Sequence, residues 1–162
     1  MRVSSNSSLF NRLNRFTWLM DLYADNFQRL TAMVDLKHLK RGVYFSEGQD
    51  GLLLRLEVVE CHSYTIEIKL SYTLQDEHTG ALDPSAMIRV YLDSQQSEVS
   101  HCYVGKRWQD VLGLRPNLAQ LVSHRLRMNG FLNKWLMYLK QQNHHKDSWF
   151  PEVNTLAFIE NE

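Results

Sequence analysis

From Leu9 the apolar residues of the N-terminal region fall at Leu9, Leu13, Phe16, Met20, Tyr23, Phe27, Leu30 and Val34. Alternating steps of four and three keep them on one face of a helix with 3.6 residues per turn. The spacing predicts one long N-terminal helix, with Ser7 or Ser8 available as its N-cap. Leu19, Leu22 and Met33 widen the stripe, which favours packing on a core over the narrow seam of a two-stranded coiled coil. A dimeric coiled coil stays open as the alternative.

From Leu52 the period changes to two. Tyr64, Ile66, Ile68, Leu70 and Tyr72 alternate with Thr65, Glu67, Lys69, Ser71 and Thr73, the pattern of a strand with one buried and one wet face. Leu52 to Cys61 alternates less cleanly before it, and His62 and Ser63 stand where a tight hairpin would turn. After the polar stretch Gln75 to Ser85, Ala86, Ile88, Val90 and Leu92 alternate again. Ser94 to Ser97 reads as a turn and Glu98 to Val104 as a return strand. Four strands with neighbouring connections make an antiparallel meander, with Val43 to Phe45 as an optional fifth. Pro116 and Asn117 then open a second long helix, whose Leu118, Leu121, Val122, Met128, Leu132, Trp135, Leu136 and Leu139 share a face up to a stop at Asn143 to His145. Thr155 to Ile159 is one last apolar stretch, suited to an edge strand or a cover on the core. The expected architecture is α+β: an antiparallel four- to five-stranded meander with long N- and C-terminal helices packed on its apolar face. It forms a single domain, 1–162, with 1–15 and 147–162 peripheral or partly mobile.

Composition narrows the class but not the function. With 162 residues, 44% hydrophobic and 22% charged, 7 Gly and 3 Pro, the chain has enough apolar material for a core and none of the bias of collagen-like or disordered sequences. Asn11, Arg12, Asn14 and Arg15 interrupt any signal-peptide core near the start. The longest apolar stretch, near Leu52 to Val59, is broken by Arg55 and Glu57, so no membrane segment is expected. Cys61 and Cys102 are the two cysteines, too few for a secreted disulfide framework, and a cytoplasmic location is expected. The net charge of zero hides segregation: successive stretches 1–42, 43–103, 104–146 and 147–162 carry +4, −7, +7 and −4. Basic helices beside an acidic sheet would compensate within the fold, whereas a basic face would meet an anionic partner.

Several segments resemble the YqiB-like proteins, a small proteobacterial family classed as a domain of unknown function. They are Met20-Asp21-Leu22-Tyr23 with Asn26-Phe27 and Leu30; Tyr64-Thr65; Pro84 with Arg89-Val90-Tyr91-Leu92-Asp93 and Glu98-Val99; and Asn129, Phe131-Leu132 and Trp135-Leu136. The resemblance spans residues 20 to 140 and brings no assigned activity. In some relatives the genes lie near those of nucleotide-pyrophosphate and cyclic-nucleotide hydrolases, which is the associative ground for a nucleotide-handling alternative. The chain departs from the pattern at Leu92, where a His is usual, and at Ser123-His124-Arg125, where an Asp-Glu-Lys element is usual.

Two surfaces carry candidate chemistry. Arg89, Tyr91 and Asp93 alternate with the apolar residues of their strand and must face away from the core, near Glu67, Lys69 and Glu98. Arg89, Tyr91, Asp93 and Glu98 are therefore candidate binding residues on the sheet, for a phosphate or a partner's charged group. The structural alternative is a solvated ladder of cross-strand pairs. On the second helix, Arg127, Phe131, Lys134 and Tyr138 repeat at 4,3,4 and form a candidate anion or partner face, unless Trp149, Phe150 or Phe158 of the acidic tail covers the rings. The doublets Cys61-His62 and His101-Cys102 offer one ligand per sheet face each, so no metal site is expected. No catalytic motif is present, no catalytic residue is assigned and no cofactor is expected.

The expected function is a small cytoplasmic, non-enzymatic binding or adaptor protein. The alternative is a small-ligand or nucleotide-handling protein, or an enzyme, with a site between sheet and helices. Its partner would be a protein or a small anionic ligand, with nucleic acid less favoured and no membrane, and the chain a monomer or a homodimer.

Overall fold

The computed structural model describes residues 3–107 and 115–153, with side chains from residue 12 onward. In chain order the elements are α1 (Val3–Met33), β1 (Gly42–Glu47), β2 (Leu53–Cys61), β3 (Thr65–Tyr72), β4 (Ser85–Tyr91), β5 (Gln96–Tyr103), α2 (Leu118–Gln141) and β6 (Trp149–Pro151). The strands form one antiparallel sheet in the order β5-β4-β3-β2-β1-β6. The α+β class and the meander follow the hydrophobic pattern. Among the described residues the strand count differs, being six rather than four or five. The sixth strand comes from Trp149–Pro151, whose three residues are too few to show a period of two. Thr155 to Ile159, the expected edge segment, lies outside the described residues.

Alternation places Leu54, Leu56 and Val58 of β2, Ile66, Ile68 and Leu70 of β3, and Ala86, Ile88 and Val90 of β4 on one buried face. Phe27 and Leu30 of α1, Val34 just after it, and Met128, Leu132, Trp135, Leu136 and Leu139 of α2 close the core over it. Trp135 anchors α2: its ring stacks on Phe131, centroids 5.5 Å apart, and meets Tyr72 edge-on at 5.6 Å.

The expected α1 stripe is buried only from Leu19 onward, while Leu13 is 57% and Phe16 53% exposed. Length explains the overhang. A helix of 31 residues is about 46 Å long at about 1.5 Å per residue, whereas six strands about 4.8 Å apart span about 24 Å and nine strand residues about 30 Å. Leu118 is likewise exposed and Leu121 and Val122 are half-buried, so the α2 stripe reaches the core only from His124.

The two helices run side by side in the same direction, with Arg15 bonded to Ser123 and Asn26 to Asn129 and Asn133. A buried polar clasp fixes them to the sheet. Asn26 Nδ2 donates to the Asn129 carbonyl at 3.0 Å. The Val99 N–H of edge strand β5 donates to Asn129 Oδ1 at 2.8 Å, and Asn129 Nδ2 donates to the Arg125 carbonyl at 2.9 Å. Asn133 Nδ2 completes the Asn26 side chain at 2.9 Å. Asn26 and Asn129 are both fully buried, so every one of these groups would otherwise lose its water without replacement. Asn117 caps α2 through reciprocal bonds with Gln120 of 2.8 and 2.9 Å, and Asn143, in the left-handed region at φ 65°, turns the chain at the other end.

Asn129→Ala should cost about 2–4 kcal/mol, because it strands the Val99 N–H and empties the clasp. Trp135→Ala should cost about 3–5 kcal/mol, while Lys134→Ala, exposed on the next position, should stay within about 0.5 kcal/mol of the parent. Urea unfolding of the three variants measures this order.

Candidate functional site

With one face of the sheet under the helices, the opposite face carries the polar members of each strand. Pairing sets two rows across β3, β4 and β5: Glu67, Arg89, Glu98 and, next to it, Lys69, Met87, His101. The first row holds two of the expected binding residues, Arg89 and Glu98, and Tyr91 joins it through Glu98. Tyr91 donates its hydroxyl proton to Glu98 Oε1 at 2.7 Å, and Arg125 of α2 reaches Glu98 Oε2 at 3.8 Å. Arg89 is held protonated above its ordinary pKa by Tyr91 first and by the Glu67 and Glu98 carboxylates after it. Burial pushes the Tyr91 phenol up, with Glu98 adding to it. Burial likewise raises Tyr23 of α1, whose hydroxyl lies between Arg125 and Glu98. Glu98 thus serves Tyr91, Arg125 and Tyr23 together. The row is a ladder whose charges answer one another.

Asp93 is not part of it. β4 ends at Tyr91, and Asp93 stands exposed in the turn before β5, its carboxylate accepting the Ser94 N–H at 2.9 Å. Its neighbours there are Lys37, Cys61 and His62 at the end of the sheet.

The second row opens into a hollow of about 750 Å³ on the same face. Lys69, Ser85 and His101 line it from the strands, and Tyr103, Lys106 and Arg107 from the end of β5 and the turn after it. Among the described residues no carboxylate lines it. Two local features shape its rim. Asp76 ties down the β3–β4 loop, its Oδ1 accepting the His78 N–H at 2.8 Å and its Oδ2 the Tyr103 hydroxyl at 2.9 Å. These bonds, the His78 one first, hold its carboxyl below the usual range. Gly105, at φ 70°, takes a backbone conformation that L side chains rarely adopt, and its N–H bonds Asp83 at 3.2 Å. That turn brings Lys106 and Arg107 back beside the strand, with Arg107 bridging to Tyr103. Apart from Lys69, the sequence reading named none of these residues for this role. The available signal was the jump from a −7 to a +7 stretch at residue 104.

On α2 the expected basic and aromatic face is divided. Arg127 and Lys134 are exposed, but Phe131 is half-buried against Trp135 and the core. Tyr138 donates to Asp50 Oδ2 in the β1–β2 turn at 2.9 Å. The rings are thus engaged within the fold rather than by the tail residues named for the purpose. Trp149 donates to the Met33 carbonyl at 3.1 Å, Phe150 packs on Phe45, and Phe158 lies outside the described residues. The space between sheet and helices, the alternative location for a ligand, is filled by core side chains.

One serine–histidine pair occurs where α2 meets β1. His144 Nδ1 lies 2.6 Å from Ser46 Oγ, which lies 2.7 Å from Ser148 Oγ, which donates to the His145 carbonyl at 2.8 Å. The chain closes in one direction, from His144 Nδ1–H through both hydroxyls to the carbonyl. Nε2 is left as a buried lone pair without a partner. Gly48 makes room there, since a Cβ at this position would come within 2.8 Å of Nε2 and 2.7 Å of Asp50 Oδ1. Ser46 is fully buried, so the pair joins α2 to the sheet and presents no nucleophile. Burial pushes the Cys102 thiol up to about 12, which keeps it protonated and unreactive. Among the described residues, no group of three or more His, Cys, Asp or Glu side chains is placed to hold a metal ion.

Fold and site together define a two-layer α+β domain with one face closed by helices and the other open and charged. The chain belongs to the family described as "Protein of unknown function (DUF1249)", which matches residues 28–145. No match was found among the curated proteins or among the solved structures.

The buried His144 yields a pH dependence. Burial holds its folded pKa below the ordinary histidine value of 6.5, with Asp50 opposing and His145 adding to the effect. The unfolded chain therefore binds the proton more readily. The stabilising contribution of neutral His144 is complete above about 6.5 and falls away as pH drops toward the lower folded pKa. NMR titration should show a midpoint below 6.5 and a neutral ring protonated on Nδ1. An ordinary midpoint, or Nε2 protonation, would contradict the assigned chain of bonds.

Proposed function

We propose that the chain is a small, non-enzymatic binding protein that receives an anionic ligand or the acidic segment of a partner on the outer face of its sheet. One observation carries this reading. The hollow beside the charged ladder, where the −7 stretch gives way to the +7 stretch at residue 104, is lined by Lys69, His101 and Lys106 and by no carboxylate among the described residues. Lysines brought together at one spot repel one another, and a bound anion compensates that repulsion. The ladder of Arg89, Tyr91 and Glu98 is the frame of that face, since its charges already answer one another. The helix cations Arg127 and Lys134, whose aromatic neighbours Phe131 and Tyr138 are engaged by Trp135 and by Asp50, are secondary. The small-ligand alternative moves to the same hollow, because the sheet–helix interface is packed.

The finer likeness to YqiB-like bacterial proteins belongs to the same proposal. It is supported by the meeting of Tyr23, Asn26, Arg89, Tyr91, Glu98 and Asn129, all from the resembling segments, where α1, β4, β5 and α2 converge. A cytoplasmic location is supported by Cys61 and Cys102, neither of which forms a disulfide. No helix is long and apolar enough to cross a membrane among the described residues.

Titration of ¹⁵N-labelled protein with a polyglutamate peptide tests the face. Shifts should concentrate at residues 69, 85–87 and 101–107. Arg89→Ala should leave them in place and cost under about 1 kcal/mol, as expected of an exposed cross-strand pair. Shifts centred on Arg127 and Lys134, or binding lost with Arg89, would overturn the assignment.

A further inference from the structure

We infer that the hollow over β3–β5 is a site for a small compound bearing two or more phosphate groups, an inference that rests on the binding-face reading above and specifies its ligand. Three features lead to it. The first is spacing. Lys69 and His101 flank Met87 across three strands, so their backbones stand about 10 Å apart at about 4.8 Å per strand. Lys106 and Arg107 approach from the turn after β5. One phosphate is too small to meet donors so distributed, whereas two linked phosphates extend between them.

The second feature is the donor set. Two lysine ammonium groups and an imidazole stand with the Ser85 hydroxyl around one space. Several separate donors suit the many acceptor oxygens of a phosphate chain better than the two of a lone carboxylate. The volume of about 750 Å³ lies within the range of small-molecule sites.

The third feature is what the nearby carboxylates do. Glu57, directly across from Lys69, is bonded to Arg55 at 3.1 Å. Asp76 accepts from His78, Thr79 and Tyr103, and Asp83 from the Gly105 N–H. Each is held by another group, and none of the three lines the hollow. An added anion would complete the charge balance that the ladder achieves internally.

Calorimetric titration of the full chain with inorganic pyrophosphate tests the inference, with tricarballylate as a carboxylate of comparable charge. Saturable one-to-one binding is expected. Lys69→Gln and Lys106→Gln should each weaken it about tenfold, as expected for loss of one charge-assisted contact. Lys134→Gln, on the far helix, should leave it unchanged, and tricarballylate should bind at least about tenfold more weakly. Thermal melts matching the parent show that each variant is folded, and Lys69→Arg, which keeps the charge, should restore most of the binding. No saturable binding, equal weakening by Lys134→Gln, or equal affinity for tricarballylate would each overturn the site. If pyrophosphate is silent while polyglutamate still shifts the residues of the outer face, this inference falls and the binding-face reading stands. Silence of both probes removes both.

Discussion

The architecture turns on Asn129. Its carbonyl takes the Asn26 amide of α1, and its side-chain oxygen takes the Val99 N–H of β5, so a single buried residue holds two helices and a sheet edge together. A sheet edge exposes unpaired backbone groups, and a parallel helix pair has no backbone bonds of its own to a sheet. The clasp meets both needs. Apolar packing of Leu30, Leu132 and Leu136 on Ile68 and Ile88 supplies most of the burial, but such contacts tolerate sliding. A fully buried pair of asparagines with matched partners does not.

That constraint also decides which face is available. Because α1 and α2 are held over the same side, Arg89, Glu98, Lys69 and His101 remain together on the other. Arg125 and Tyr23 extend the helix layer round to Glu98, so the closed and the open face meet at this carboxylate. The ladder then separates the clasp from the hollow. The helix layer contributes rigidity to the open face without contributing a binding group to the hollow.

Much of this was legible in the sequence where a single period ran long enough. The alternation of Tyr64 to Tyr72 and the cap at Asn117 correspond directly to β3 and to the start of α2. Other features arise only when strands are placed side by side. Alternation from Glu98 would point His101 inward, but a bulge after Val99 leaves Ser100 extra and pairs His101 with Met87, which sends it to the outer face and Cys102 to the core. The hollow therefore could not be read from spacing. Asp93 was misplaced for a related reason: extrapolating the period beyond Tyr91 ignored the end of the strand. Asn26 and Asn129 look like ordinary helix-surface residues until the chain separation of 103 positions is closed. Phe131 and Tyr138 lie off the main apolar stripe, yet Trp135 and Asp50 engage them from different directions.

Amide hydrogen exchange at Val99 examines the clasp most directly. β5 is the outermost strand, and the Val99 N–H has the Asn129 side chain, 2.8 Å away, as its acceptor. If Asn129 fixes the helix layer to the edge, this amide opens only when the domain unfolds, and its exchange is as slow as that of the central amides of β3. Exchange orders of magnitude faster, at the rate of a solvent-facing edge amide, would show that the clasp opens without the fold and would contradict the account.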